Sequence, residues 1–477
     1  MVDLSRQSGV FDQENVSKGK VAVVGGGAIA NYICTYMCGL GVGTITLIDT
    51  YKGDDDHGFL YSLGNKIDSR KFSLKKAMSK MNEEINIEDK MDMLSNADII
   101  VECTNDPSSK KRYRKIAGEL NKECNGKIKK VISLGSDFES SAIGIYIPPR
   151  NMSPVERLLA KKKGFSKDES VSKLLGRECY GYFDMPSYEG KEQGSFSSGL
   201  IAALCADEVR KVLSPLELDY PLKIGTSFDL SVPERFYNLR KTDRAEGGGV
   251  PDLDQLKEKK VLVVGAGGTG TYTALNLALT GFGKIDIYDG DTVEDHNRNR
   301  QVLFYGKVDK PKASSLAERL SGINPEAEIR GFDEFIEEST MSRISGEGYD
   351  ILFSEVDRWT PRKLLNDLAM HNNIPLFDGA VGLDWGRINY YIPGHNKDLN
   401  EILKLEERAT GEVPRTNHCN PSVLPPNAVV GGVKAAEAVA LMFPADYTIA
   451  YDKYVHFKGI SQDKERLSLK PVEYTRR

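Results

Sequence analysis

Cysteine is scarce in this chain and forms no paired spacing: Cys34, Cys38, Cys103, Cys124, Cys179, Cys205 and Cys419 are scattered through 477 residues. That pattern excludes a disulfide framework and, with no charged-then-apolar leader ahead of it, predicts a reduced, cytoplasmic protein. Long apolar runs are missing too. None approaches the roughly 18 residues that a membrane span requires. Positive charge is not in excess either: the formal net charge is -5, with acidic and basic residues interspersed. No broad basic field is offered to nucleic acid, so any cationic site must be local.

What is present is repetition. The length exceeds one typical core and predicts two domains. Lys20 opens KVAVVGGGAIANYICTYMCGLGVGTITLIDTY, and Lys260 opens KVLVVGAGGTGTYTALNLALTGFGKIDIYDGD. Each reads as apolar strand, glycine turn, helix, glycine-rich break and second strand ending at Asp49 or Asp289. ADIIVECTND from Ala97 mirrors YDILFSEVDR from Tyr349, and SSGLIAALCADEVRKVL from Ser197 parallels NAVVGGVKAAEAVALMF from Asn427. One α/β unit is duplicated. The linker falls near Gly247–Gly249, where three glycines lie among charged residues. This gives domains at 1–240 and 250–477.

In the second copy, Gly265, Gly267 and Gly270 let the backbone turn tightly and bring a phosphate to the positive end of the next helix. Asp289 ends the second strand, where a carboxylate accepts from ribose hydroxyls. A glycine turn serving packing alone is the plain alternative, and a dinucleotide enzyme is the sharper rival. The next segment, VEDHNRNRQVLFYGKVDKPK, adds Asn297, Arg300, Gln301 and Lys312 in quick succession. A solvated loop explains the polarity; an anion held against the strand end also explains the choice of residues.

Glycine turn, strand-end Asp289, N-x-x-R-Q and Lys312 together resemble the adenylation domain of the ubiquitin-activating enzyme superfamily, which includes the ThiF and MoeB adenylyltransferases and the microcin-type peptide-adenylating enzyme. EVDRWTPRKLLN, from Glu355 to Asn366, resembles that family's aspartate segment with an arginine and an asparagine downstream; the resemblance assigns Asp357 to Mg2+. IPLFDGAVGLDWGRINYYIPG looks like its strand, turn and returning strand. C-x-x-S-V-x-x-P, Cys419 to Pro426, matches its crossover loop, and LSRQ near the start matches a stretch whose arginine, here Arg6, reaches a partner's ATP site. Many relatives hold structural zinc with two C-x-x-C pairs; this chain has none, so no such zinc is expected.

The residue types suit the chemistry independently of the resemblance. A terminal carboxyl has a pKa of about 3.5 and is an ionised nucleophile at neutral pH without a base. What the reaction needs is compensation for charge as a carboxylate meets a polyanionic nucleotide, which Arg300, Lys312 and a metal on Asp357 supply. A solvated surface pair is the plain alternative for Arg300 and Lys312, and a helix cap ahead of Thr360-Pro361 is the alternative for Asp357. The first copy departs from the pattern: no N-x-x-R-Q follows Asp49, and Asn105 falls at the position of Asp357, unless the alignment slips by one onto Asp106. That half is expected to be inactive.

The expectation is therefore α/β: two Rossmann-like ThiF/MoeB-type domains in an intramolecular pseudo-dimer, working as a monomer, with Mg-ATP in the second. The activity implied is adenylation of the C-terminal carboxylate of a ubiquitin-like modifier or sulfur carrier, with onward transfer to a Cys419 thioester and to a conjugating enzyme as extensions. A precursor peptide as substrate, an NAD-binding oxidoreductase and an inactive scaffold are the alternatives. The segment 151–178 reads as a charged helical insertion, and the tail after Phe443 as a strand hairpin.

Overall fold

The computed structural model describes residues 3–4, 11–48, 70–89, 91–106, 108–109, 112–114, 116–117, 128–136, 138, 140–147, 180–181, 194–215, 226–229, 236–238, 251–382, 386–411, 422–444, 453–457 and 467–471. The expected insertion at 151–178 and the glycine linker lie outside these residues. Contacts divide the chain into two units, made mainly of Ser8–Asp229 and of Gly248–Arg477.

In the first unit, helix α1 (Gln13–Lys18) leads into β1 (Lys20–Val24), α2 (Ala28–Leu40), β2 (Thr44–Ile48), α3 (Arg70–Met81), β3 (Asn86–Glu88) and β4 (Ile99–Glu102). The chain continues through β5 (Lys130–Ser136), β6 (Ser140–Ile147), β7 (Tyr180–Gly181), α4 (Ser195–Leu213), β8 (Thr226–Asp229) and β9 (Phe236–Asn238). The strands form one nine-stranded sheet ordered β3-β2-β1-β4-β5-β6-β8-β9, with β7 on β6. β1 to β5 run parallel and the rest are added antiparallel.

The second unit repeats the scheme. β10 (Lys260–Val264), α5 (Gly268–Thr280) and β11 (Lys284–Tyr288) are followed by α6 (Lys312–Ile323), β12 (Glu328–Phe332), α7 (Glu338–Ser345) and β13 (Ile351–Ser354). Then come α8 (Trp359–Asn372), β14 (Leu376–Val381), β15 (Gly386–Tyr391), α9 (Leu399–Leu403), α10 (Leu405–Thr410) and α11 (Leu424–Met442). The sheet order is β12-β11-β10-β13-β14-β15, parallel up to β14 and antiparallel at β15. β16 (Lys453–Phe457) and β17 (Leu467–Pro471) pair antiparallel, as the alternation in the tail predicts.

Central strands buried on both faces need near-continuous apolar runs. β1, β10 and β13 supply them, reading KVAVV, KVLVV and ILFS, buried at every position after the opening lysines. The final long helix of each unit packs against the helix that follows the glycine turn, α4 on α2 and α11 on α5. Gly431 makes this approach possible in α11, since a Cβ there would lie 2.7 Å from the Tyr272 side chain and 2.8 Å from the Thr273 amide.

The two units share register as well as order. Val24 faces Glu102 across β1–β4, and Val264 faces Ser354 across β10–β13. The hairpins correspond likewise, Val131 facing Tyr146 and Leu376 facing Tyr391. One consequence concerns β4–β5 against β13–β14: Glu102 faces Ser133 in the first, whereas Ser354 faces Asp378 in the second. Acid and hydroxyl have changed strands.

Candidate active site

The glycine turn after β10 is built by its neighbours. Gly265 has φ +103°, its N–H donates to Tyr288 O at 2.7 Å, and a Cβ would sit 2.6 Å from Glu355 O. A Cβ on Gly270 would lie 1.9 Å from Gly265 O, so that glycine is required for the helix to pack on the turn. Gly267 is different: it is the N-cap of α5 and a Cβ there would meet nothing within 4 Å. The space it leaves lies at the helix N-terminus, where free backbone N–H groups favour an anion.

Asp289 sits just past β11, and both its oxygens are aimed by backbone. Oδ2 accepts from Ala266 N at 2.7 Å and Oδ1 from Asp291 N at 2.8 Å. Burial pushes this carboxyl above its ordinary range, while the charge of Lys312 and the two backbone N–H groups pull it down.

The N-x-x-R-Q segment folds as two short turns rather than a loose loop. Asn297 Oδ1 accepts from Glu294 N at 2.9 Å, closing a reciprocal cap with the Glu294 side chain. The side chain picked out by sequence as a ligand therefore already shapes its own segment. Arg300 is 8% exposed and donates to His296 O and Asn299 Oδ1, both at 3.0 Å; Tyr272 Oη donates to Arg300 O at 2.7 Å. Lys312, 7% exposed, is the first residue of α6 and donates to Asp291 Oδ2 at 2.9 Å. A solvated surface pair is thus ruled out for both. A lysine at a helix N-terminus opposes the helix dipole, which argues for an anion beyond Asp291. Two buried atoms beside Arg300, Asn299 Nδ2 and Gln301 Oε1, have no hydrogen-bond partner among the described residues. Orphaned groups of this kind in a buried segment mark a place for a ligand.

Asp357 lies on the exposed bend after β13. The N-cap residue of α8 is the next one, Arg358, which makes no side-chain cap bond. Among the described residues no three acidic, histidine or cysteine side chains gather as a metal cage. A single carboxylate with substrate phosphates is nevertheless an ordinary way to hold Mg2+, so Asp357 fits that role. Arg6 and Cys419 lie outside the described residues.

Two buried clusters support the turn. Glu355 accepts from Thr273 Oγ1 at 2.7 Å and pairs with Lys434, which is fully buried in α11. Arg362 donates to Asp378 Oδ1 at 2.5 Å and Val356 O at 2.7 Å, while Ser354 and Asn389 also donate to Asp378. Neither cluster stands out as a motif, because the pairs Glu355–Lys434 and Arg362–Asp378 join distant segments. One signal was readable: Lys434 and Glu437 are the only charges in the otherwise apolar α11.

An open helix N-terminus, an aimed carboxylate after the second strand and a buried cationic segment beside them define a Rossmann-like nucleotide-binding domain. The chain belongs to the ThiF family, whose model matches residues 238–474. It is 32% identical over 190 residues to the SAMP-activating enzyme E1 of Haloferax volcanii, covering 39% of this chain and 68% of that one. The adenylyltransferase and sulfurtransferase UBA4 of Yarrowia lipolytica is 34% identical over 143 residues, 30% of this chain. Ubiquitin-like modifier-activating enzyme 5 of Drosophila melanogaster is 32% identical over 158 residues, also 30% of this chain. The chain spans only 36% and 39% of the length of these last two. A solved structure of E. coli MccB with ATP aligns at 22% identity and TM-score 0.38, over 46% of this chain and 67% of that one. Among the described residues, no helix is long and apolar enough to cross a membrane.

Proposed function

We propose that the second unit adenylates the C-terminal carboxylate of a ubiquitin-like modifier or sulfur-carrier protein. The observation that carries this is the buried pair Arg300 and Lys312 beside the open turn at Gly267, with the orphaned Gln301 Oε1 next to them. Asp289 accepts from the ribose. The turn and the N-terminus of α5 take the phosphates, and Arg300 and Lys312 hold the charge that moves onto pyrophosphate. The substrate carboxylate, already ionised, attacks the α-phosphorus: a carboxylate oxygen–phosphorus bond forms, the α–β bridging bond breaks, and pyrophosphate leaves with the electron pair. Mg2+ on Asp357 would neutralise phosphate charge when bound.

Domains at 1–240 and 250–477, an inactive first unit and a monomer working as an internal pseudo-dimer complete the reading. Arg6 as an aid to phosphate binding, a Cys419 thioester and a conjugating enzyme as acceptor are its extensions. Isotope exchange between pyrophosphate and ATP, dependent on a protein ending in a free carboxylate, tests the central step. No exchange with any such protein removes it.

A further inference from the structure

The β14–β15 hairpin ends in a cationic cluster that the phosphate machinery does not use. Trp359 opens α8 with the Arg362 guanidinium 4.9 Å from its ring centroid and that of Arg408, from α10, at 4.5 Å. Arg387, opposite Ala380 at the end of the hairpin, feels the charges of Asp378, Arg362 and Arg408. The Asp378 carboxylate is already engaged by Arg362, Ser354 and Asn389. Arg387 and Arg408 have no ion pair among the described residues, and the buried Nε of Arg387 has no hydrogen-bond partner. Burial and the neighbouring arginines push the Arg387 guanidinium below its ordinary range. A partly buried guanidinium with two others near it, and with Asp378 the one carboxylate acting on it among the described residues and already committed, is stable when an anion joins it.

Position in the sheet says which anion. Arg300 and Lys312 come from the segment after β11, on one side of β10 in the strand order; the arginine cluster comes from β13 to β15, on the other. Arg362 also binds the carbonyl of Val356, the residue before Asp357. In-line displacement at phosphorus needs nucleophile and leaving group on opposite sides. Resting on the adenylation reading, and with pyrophosphate on the Arg300 side, we propose that Arg387 and the neighbouring Arg408, whose guanidinium lies over the Trp359 ring, hold the free carboxylate of the acyl substrate as it approaches the nucleotide.

Trp359 reports on this directly, because the chain has only two tryptophans. The full-length W385F protein is titrated with a short peptide ending in Gly-Gly, as the free acid and as the C-terminal amide, while tryptophan emission is followed. The free acid should give a saturable change and the amide none. R387Q should weaken the acid by about tenfold, one lost charge-assisted hydrogen bond, and R408Q, at an exposed residue whose replacement does not threaten folding, by a smaller factor. ATP affinity and inhibition by pyrophosphate should stay within about twofold of the parent in both variants. Equal binding of acid and amide, or no response from Trp359, overturns the proposal. So does weaker ATP or pyrophosphate binding in R387Q, which would assign the cluster to the phosphates. A carboxylate-dependent Trp359 response in a protein that catalyses no exchange would keep this subsite and remove the adenylation reading instead.

Discussion

The two units place different chemistry on matching frames. Gly25 and Gly265 both have positive φ, at +122° and +103°, and both face the carbonyl of the residue after the fourth parallel strand, Cys103 after β4 or Glu355 after β13. This contact fixes the register between the copies: Cys103 corresponds to Glu355, so Asn105, not Asp106, corresponds to Asp357. Asp357 is exposed on a bend. Asn105, at φ +61°, is buried and fully occupied, its amide donating to Ser136 O at 2.8 Å and its carbonyl accepting from Ser136 N at 3.1 Å. Where the second unit leaves an exposed aspartate, the first has a stitch to the next strand. Behind the turn the contrast continues. α4 and α11 are both 19 residues long, and Cys205 and Lys434 occupy the same position in them. Where the second unit has Thr273, Glu355 and Lys434, the first has Ile33, Cys103 and Cys205, all buried. Burial raises the Cys205 thiol well above its ordinary range, which makes it an inert packing group.

The sharpest way to break the comparison is to orphan the buried ion pair. Replacing Lys434 with Met leaves Glu355 charged and buried, and should cost about 3–5 kcal/mol in chemical denaturation. The double variant E355C/K434C, which installs the pair found in the first unit, should recover most of that loss. If it does not, the two clusters are not interchangeable packing solutions. Next in size, R300A or K312A should lower pyrophosphate exchange by about 10²–10³-fold, measured without denaturant at a temperature where circular dichroism shows the variant fully folded. N105D tests the first unit: it removes the donor to Ser136 O, sets a carboxylate against that carbonyl, and should cost about 1–3 kcal/mol. Equilibrium dialysis should still count one ATP per chain, and a second bound nucleotide would show that the first unit is not inactive.

The smallest effect concerns acid. Because burial raises the Asp289 carboxyl in the folded protein, its protonation favours the native state below the ordinary aspartate range, and that contribution is lost as pH rises through the folded value. Nucleotide affinity should move the other way, weakening on acidification from a higher pH than an ordinary carboxylate would give. D289N should bind ATP more weakly at neutral pH and lose this dependence.

The turn glycines, Asp289 and the duplicated order were legible because each depends on local spacing within one βαβ unit. The burial of Arg300 and Lys312 was not, since their segment reads as polar and its cover comes from elsewhere in the fold. Asn297 was legible as a residue but not in its geometry, because nothing in N-x-x-R-Q shows that its side chain also caps Glu294. Least legible were Glu355–Lys434 and Arg387: a buried charge becomes visible only when a strand and a helix far apart in sequence are brought together.

The exchange of acid and hydroxyl between neighbouring strands carries a historical consequence. Ser354 donates to the facing Asp378, whereas Glu102 faces Ser133 but accepts from the Thr104 N–H, and neither arrangement converts to the other by single changes without passing through two facing carboxylates or none. The copies have thereby become separate lineages inside one gene: a residue transplanted alone from one half arrives without the counterpart that made it tolerable.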